Sequence, residues 1–472
     1  MSSSLRKWTD TLIFLILIIS PLAYGSVHQP SFAFIFLIIS ILFILSFAPR
    51  PQTIKEFLSL PLSLLGLSFL FILIFQLIPL PPSVLRLVSP ETYHTLVQFS
   101  LQDKIGWHPL TIYPWATLRE FLKVLAYGML YLVILKRVVS SFQWQEDIPT
   151  NFLKLACLCA LLGFILQNFF AFNFHIPADA MYFTVIVALL SALIYFPSRS
   201  DYIFIRKISN WIALIGIGIS IFAIIQKFSY NGRIFWIGKK AVSGFGPFIS
   251  YNLYTGFMEL CAPFSLCFSL AYLINYRGSI QGIRNKIIWL FSPQTNKALF
   301  YLAGFVIMVS SVFLSSSRAG SAAVVISTLI FFIILIIKLK PKKRIRVLYG
   351  AFIALLLLAI AVTFTSPTFL LEKYQRLKEI RGKPISKALV RFNIWHDCIS
   401  LYRDFPLLGT GWGTFCHIYP KYRTLRMKKF ARYAENDYIQ TITELGSLGI
   451  ILNLAFFLIY FRLWILLLKG WK

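Results

Sequence analysis

The chain has 472 residues, of which 58% are hydrophobic and 13% charged, and its mean hydropathy is +0.74. A soluble protein of this size would carry more charge on its surface, so most of this surface is expected to face lipid. The net charge of +29 does not indicate nucleic-acid binding, because the basic residues lie between apolar stretches, as membrane orientation requires. The predicted class is a multi-pass membrane protein.

Apolar runs long enough to cross a bilayer, about 17–25 residues, predict an all-α helical bundle. Residues 1–472 then form a single membrane domain with about twelve spanning helices. These helices are predicted near 10–26, 31–48, 57–79, 118–136, 152–171, 179–196, 208–226, 252–274, 298–315, 321–337, 347–364 and 444–468. The first run also has features of a signal peptide, but in a polytopic chain it is interpreted as an uncleaved helix.

The short basic loops predict the orientation of the chain. The segment 338–346, KLKPKKRIR, has six basic residues in nine and marks the cytoplasmic side. Counting outward from it places both termini in the cytoplasm and two longer segments, 80–117 and 365–443, outside. The second segment holds fourteen Lys and Arg against six Asp and Glu, a difference of +8. An anionic substrate would explain this excess, and so would contact with anionic lipid headgroups.

Both outer segments have recognisable patterns. The first carries aromatic residues placed like an interfacial belt, Trp107, Tyr113 and Trp115. The second contains a stretch predicted to be an amphipathic helix lying on the membrane or on the bundle, with Phe392, Trp395, Ile399 and Tyr402 at helical spacing. Three alternating glycines follow it, and they favour tight turns or close approach of another group: Gly409, Gly411 and Gly413.

A first candidate for chemistry is SSSRAGS, residues 315–321, between the ninth and tenth predicted helices. Its short loop holds Arg318 near the outer headgroup plane, where a planar guanidinium can bind a phosphate in bidentate fashion. The alternative is an arginine that only reaches to the interface while small residues pack two helices together.

A second candidate is the stretch Glu435, Asn436 and Asp437, at the start of the last predicted membrane helix. Helix capping would need only one of these side chains. Gln440 and Glu444 extend the polar face, and a polar stripe on a helix entering lipid must face a cavity or protein. A carboxylate there could act as the general base for a sugar hydroxyl.

A third candidate is GFGPFISYN, where Asn252 opens the eighth predicted helix and Glu259 follows two turns later. The six histidines and the carboxylates show no metal-ligand spacing, so neither a metal nor a cofactor is expected. Cys398 and Cys416 lie in the same outer segment, and the sequence leaves open whether they pair.

Four segments in order resemble the O-antigen ligase family of bacterial envelope glycosyltransferases. They are WHPLTIYPWATLREFLKVLAY, GPFISYN, SSSRAG and the closing stretch RFNIWHDCISLYRDFPLLGTGWGTF…AENDYIQTITELGSLGI. The closing stretch is the most specific match, and the resemblance defines a ligase-like core over 297–455. It implies a protein of the bacterial inner membrane.

The resemblance implies an activity at the outer, periplasmic face of that membrane. A glycan would pass from an undecaprenyl or other polyprenyl diphosphate carrier to lipid A-core or another glycan acceptor, without a metal. Arg318 would hold the diphosphate and Glu435, where many ligases have His, would be the base. Asn436, Asp437 and Asn252 would bind substrate. The family's second arginine has no clear counterpart, and Arg233, Lys239 and Lys240 are substitutes by location.

Two kinds of alternative stay open on sequence grounds. An O-antigen polymerase or a protein O-oligosaccharyltransferase of the same superfamily would use the same donor with another acceptor. A transporter would instead carry ionisable residues near the middle of the bilayer and broken helices in related halves. The polar residues of this chain collect on one side, which favours an enzyme acting at the membrane surface and contacting membrane lipid.

Overall fold

The computed structural model describes residues 3–48, 53–99, 106–139, 148–229, 231–238, 243–274, 284, 288, 291–341, 343–345, 347–348, 350–351, 387–425 and 430–471. The described part is predominantly helical, as predicted for an all-α membrane bundle. Its principal helices are α1 (Ser3–Leu22), α2 (Gln29–Phe47), α3 (Thr53–Leu58), α4 (Pro61–Leu77), α5 (Pro82–Val88), α6 (Pro90–Phe99), α7 (Pro114–Val139), α8 (Thr150–Gln167), α9 (Pro177–Tyr195), α10 (Tyr202–Phe228), α11 (Tyr251–Ile274), α12 (Pro293–Leu314), α13 (Arg318–Lys338), α14 (Lys387–Asp404), α15 (Phe415–Tyr422), α16 (Asp437–Leu445) and α17 (Ser447–Gly470).

Eleven of the twelve predicted spans coincide with helices, namely α1, α2, α4, α7 to α13 and α17. Within the described ranges, eight helices are long and apolar enough to cross a membrane: α2, α8 to α13 and α17. The predicted helix at 347–364 lies mostly outside the described residues. The fold class predicted from the sequence, a polytopic helical membrane protein, is confirmed.

Helix α11 is the centre of the bundle. It is buried along almost its whole length and packs against α8, α10 and α12. Helices α2, α13 and α17 bury a third or less of their apolar spans, so they lie at the periphery, where apolar side chains can face lipid. These helices are all apolar, so the difference in their buried share reflects their position in the bundle.

An ion network ties three helices together at the end of the bundle where α10 begins. The guanidinium of Arg137, on α7, lies 3.0 Å from the carboxylate of Asp201 and also contacts Asp10 on α1. Arg6 pairs with the same Asp201, whose other oxygen accepts the backbone N–H of Phe204 at the start of α10. These groups are largely buried, so their mutual pairing compensates for the lost hydration.

The segment 80–117 is structured in its described residues. Pro79–Leu80 pairs with His108–Pro109 in a short antiparallel ladder, and helices α5 and α6 lie between the two strands. The N–H of Thr111 then donates to Gln76 at the end of α4, and that of Ile112 donates to Thr410. The first outer segment is thereby joined to the glycine-containing loop of the second.

The apolar residues of α14 divide between two faces. Its buried apolar side chains are Ile394, Cys398 and Leu401, whereas Phe392 and Ile399 are 60% and 51% exposed. The first set packs on α15, and the second leaves an apolar surface that a membrane can cover.

The last predicted membrane helix differs from the expected continuous helix over 444–468. Gly446 has φ +62° and separates the nine-residue α16 from the long α17. Glu435, Asn436 and Asp437 therefore open a short separate helix and not the membrane helix itself. The physical reason is crowding, because a Cβ at Gly446 would lie 2.6 Å from the backbone of Leu407, a distance only glycine allows.

Candidate active site

Arg318 is the first residue of α13 and is exposed. The hydroxyl of Ser317 caps this helix by accepting the N–H of Gly320 at 3.2 Å, and Ser316 before it has φ +67°. The guanidinium of Arg318 has no hydrogen bond or ion pair with any residue that the structure describes. An arginine held at a capped helix start without a protein anion is available to an anionic ligand.

A polar cluster fixes the backbone beside Arg318. Ser317 donates its hydroxyl to the side-chain oxygen of Asn252 at 2.9 Å. The amide of Gln167, the last residue of α8, donates to the backbone oxygen of Asn252 and to the hydroxyl of Thr255 at 2.7 Å. The starts of α11 and α13 and the end of α8 therefore meet at one place, called here the Arg318 end of the bundle.

The chain between α8 and α9, residues 168–176, is called here the α8–α9 connector. The backbone N–H of Asp437 donates to the carbonyls of Asn168 and Ala171, both at 3.1 Å. The carboxylate of Asp437 accepts the N–H of Phe174 at 3.0 Å, and the side chain of Asn436 donates to the carbonyl of Phe169 at 2.9 Å. The segment Glu435, Asn436 and Asp437, called here the closing motif, is thus bound to the loop that directly follows Gln167.

Asn436 also caps α16, because its side-chain oxygen accepts the N–H groups of Tyr438 and Ile439 at 2.9 and 3.0 Å. Asn436 and Asp437 are 4% and 3% exposed. Both side chains are bound to backbone groups on either side, which fixes the position of this motif.

Glu435 is the least buried member of this motif. Its side chain is 33% exposed and one carboxylate oxygen accepts from Arg391 of α14 at 3.1 Å. The other oxygen has no hydrogen bond within the described part of the chain. Glu435 has φ +57°, a left-handed conformation that is costly for a side chain other than glycine and is found where surrounding structure imposes it.

His175 ends the short 3-10 helix of the connector and lies beside Asp437. Its ring nitrogens are 3.6 Å from Asp437 Oδ1 and 4.0 Å from Glu120 Oε2. The ring stacks on Trp412 and contacts the tilted ring of Tyr433. Burial lowers the pKa of His175 to about 4, while the Glu120 carboxylate opposes that shift. Burial raises the pKa of Asp437 well above its usual value. Burial therefore favours the uncharged form of both groups.

Glu444 lies at the other end of α16 and is fully buried. Its carboxyl oxygens accept the N–H groups of Gly413 and Phe415 at 2.8 and 3.0 Å and the amide of Gln440 at 3.1 Å. Burial raises the pKa of Glu444 to about 8, and the three donors oppose that shift. Glu444 fixes the glycine-containing loop to α16.

The alternating glycines allow this loop to pack directly against neighbouring segments of the chain. A Cβ on Gly409, at φ +67°, would lie 2.2 Å from the backbone of Glu444. A Cβ on Gly411, at φ +105°, would lie 2.0 Å from the hydroxyl of Thr111. The close approach expected of these glycines is made by protein backbone and by the first outer segment.

Two more carboxyls are buried nearby. Asp179 on α9 and Glu259 on α11 are 0% and 1% exposed, and none of their oxygens has a hydrogen-bond partner among the described residues. Such groups are stable when neutral or when they bind water or a polar ligand. The sequence pointed to Glu259, and the structure places it beside Gly163, one turn of α8 before Gln167.

The remaining predicted residues are not joined to this site by the contacts described. Arg233 is exposed and donates to the carbonyl of Gly238 within its own loop. Lys239 and Lys240 lie outside the described residues. Cys398 and Cys416 are free thiols. Across the described ranges, no group of three His, Cys, Asp or Glu side chains is arranged to hold a metal ion.

Sequence reasoning missed the connector. Gln167, Asn168, Asn173 and His175 join the two motifs, and they stand in QNFFAFNFH between two apolar helices. A signal was present, since amides and a histidine at the mouth of membrane helices need polar partners. Glu120, in the second turn of α7, was also missed.

The fold and these polar segments define a multi-pass helical membrane protein with a polar site at one end of its bundle. Residues 303–454 match the family model described as O-Antigen ligase, which confirms the predicted resemblance of the chain to the O-antigen ligase family. The matched segment contains Arg318 and the closing motif. No curated protein and no solved structure matches the chain.

Proposed function

We propose that this protein is a glycosyltransferase of the bacterial inner membrane that moves a glycan from a polyprenyl diphosphate carrier to an acceptor hydroxyl. If the protein is a ligase, the acceptor is lipid A-core. The site faces the periplasm and both termini are cytoplasmic. The family match supports this class of activity, since O-antigen ligases and related polymerases are membrane glycosyltransferases.

One observation carries the proposal. Gln167 binds the Asn252 and Ser317 cluster beside Arg318, and the residues that follow Gln167 bind Asn436 and Asp437 beside Glu435. A cation and a carboxylate from distant parts of the chain are thereby presented by one continuous set of hydrogen bonds. A reaction that expels a diphosphate and removes a hydroxyl proton needs both charges.

The chemistry follows from those two groups. The acceptor oxygen attacks the anomeric carbon and forms the new glycosidic bond, while the bond from that carbon to the diphosphate oxygen breaks. The leaving electron pair stays on the diphosphate, where Arg318 stabilises the developing charge. The hydroxyl proton passes to the free oxygen of Glu435, which Arg391 holds in orientation through the other oxygen. Displacement in one step inverts the anomeric centre.

Substitution of the two groups tests this assignment. Glu435→Gln removes the base with little change of shape, and we expect transfer to fall about 100-fold or more. Arg318→Gln removes the cation, with an expected loss of about 100-fold or more. Transfer is measured with purified protein, carrier-linked glycan and lipid A-core.

Two matched variants serve as controls. Glu56→Gln and Arg403→Gln change the same residue types at exposed positions outside the site and should keep wild-type transfer. Wild-type activity of a folded Glu435→Gln protein would exclude Glu435 as the base.

The acceptor is tested separately by deleting the gene in its host and separating the surface glycolipids on a gel. Bare core with accumulated carrier-linked glycan identifies a ligase. Core bearing a single repeat identifies a polymerase, and an unchanged pattern directs the search to glycoprotein acceptors.

A further inference from the structure

A cavity of about 670 Å³ lies at the opposite end of the bundle from Arg318. Its walls come from the start of α10, the end of α11 and the start of α12. Helix α11 begins beside Arg318 and α12 ends just before it, so this cavity and the candidate active site are separated by the length of these helices. The proposed reaction does not use it.

The polar part of the cavity is cationic. Arg206, Lys207 and Lys297 line it, and among the described lining residues none is acidic. Lys297 is exposed and lies 5.8 Å from the centre of the Tyr272 ring. The described lining thus carries three cations from two neighbouring helices and no carboxylate, a charge balance that favours an anion.

The floor of the cavity adds a neutral donor. The side-chain oxygen of Asn210 accepts the hydroxyl of Tyr301, which fixes the orientation of the amide. The amide N–H group of Asn210 has no partner among the described residues and lies in the cavity lining. Asn296 supplies a second amide at the rim. Such donors suit phosphate oxygens.

The other wall is aromatic. Tyr301 stacks on Phe268 with ring centres 5.1 Å apart and on Tyr272 at 6.0 Å. Phe300 and Ile203 flank the opening and are 51% and 44% exposed, as expected where a helix surface meets hydrocarbon. The cavity therefore joins a cationic rim to an apolar wall that continues onto the lipid-facing surface.

We propose that this cavity binds a phosphate-headed lipid. Arg206, Lys207 and Lys297 hold the phosphate, and a hydrocarbon chain lies along the aromatic wall. Basic pockets between membrane helices are suited to anionic lipid headgroups, and the volume lies in the range of ligand sites. Two lipids share this chemistry, an anionic phospholipid of the bilayer and a polyprenyl phosphate.

The test is a lipid titration of the purified full-length protein. Phosphatidylglycerol, undecaprenyl phosphate and zwitterionic phosphatidylcholine are added separately in detergent, and bound lipid is counted by native mass spectrometry. We expect saturable binding of at least one of the first two lipids, with phosphatidylcholine at least 10-fold weaker. The tighter of the two anionic lipids identifies the source.

The triple variant Arg206→Gln, Lys207→Gln, Lys297→Gln should weaken that binding about 10-fold or more. Its matched control, with the same loss of charge outside the cavity, combines Lys7→Gln, Lys55→Gln and Lys469→Gln and should bind as the wild type does. If the triple variant does not fold, the single change of the exposed Lys297→Gln should still weaken binding. Equal loss in the control, or no preference over phosphatidylcholine, would overturn the proposal.

Discussion

Asp437 and His175 are buried side by side, and each has its pKa shifted toward the neutral form by that burial. A protonated Asp437 can keep the N–H of Phe174 on one oxygen and present its own proton toward the ring of His175. In that state both residues are uncharged, which is the direction that burial favours. This arrangement predicts that amide replacement of Asp437 is tolerated.

We expect Asp437→Asn to retain the stability of the wild type to within about 1 kcal/mol, since the amide keeps an acceptor for Phe174. Asp437→Ala leaves that N–H unpaired and should lower stability by about 1–3 kcal/mol. Thermal unfolding of detergent-solubilised protein, followed by tryptophan fluorescence, measures both. A charged, ion-paired Asp437 would instead make the two variants similarly unstable.

Glu444 gives a prediction on pH. Its pKa is about 8 in the folded protein against 4.5 for an ordinary glutamate, with burial as the main cause. Between these values the folded state keeps a proton that the unfolded state loses, so the contribution of Glu444 to stability falls as pH rises from about 5 to about 8. We expect a decrease of at least about 1 kcal/mol.

The variant Glu444→Gln should show a smaller decrease over the same range, because it lacks the contribution of Glu444. The other two shifted groups are the same in both proteins: Asp437 lowers stability as pH rises, and His175, with its lowered pKa, raises it up to about pH 6.5. Melting temperatures at pH 5, 6.5 and 8 test this. Equal slopes in the two proteins would remove Glu444 as the titrating group.

Some residues of the site could be predicted and others could not. Arg318 and Glu435 stand in short polar motifs beside apolar helices, so sequence drew attention to them. Glu444 was noticed as part of a polar stripe, but its binding to Gly413 depends on a loop thirty residues earlier in the chain. His175 stands in a polar stretch that called for partners, but the partners themselves, Glu120, Trp412 and Tyr433, are distant in the chain and could not be predicted.

At the level of elements, the glycine-containing loop makes the sharpest prediction. Gly411→Ala places a methyl group against Thr111 at a positive φ, so it should destabilise the protein by about 1–3 kcal/mol. The matched change Gly66→Ala, in α4, meets no atom within 4 Å and should be neutral or slightly stabilising. Chemical or thermal unfolding distinguishes the two. Similar behaviour of both variants would contradict the close packing of the loop.

Helix positions were predicted well and the break at Gly446 was not. Length and apolarity determine a spanning helix, and both are properties of one segment. The break depends on Leu407 and Gly409, whose backbones occupy the space where a side chain at residue 446 would lie. Packing between segments decides such a boundary, so composition alone predicts an uninterrupted helix.

For the whole molecule, the ion network around Arg137 is expected to stabilise the bundle at the end away from Arg318. Arg137→Met leaves Asp10 and Asp201 without this partner and should cost about 3–5 kcal/mol. The exposed pair of Arg199 and Glu56 is the matched control, and Arg199→Met should cost less than about 1 kcal/mol. Unfolding in detergent measures both changes. Comparable losses would show that burial of the network adds nothing.

The hydrogen bonds from Asp437 to the α8–α9 connector also bear on the order of synthesis. Gln167, Asn252 and Arg318 leave the ribosome more than a hundred residues before Glu435. Under the proposed function, a nascent chain therefore carries the residues that bind the diphosphate before it carries the residue that activates the hydroxyl. A chain interrupted between Arg318 and Glu435 can then bind the carrier but cannot transfer its glycan.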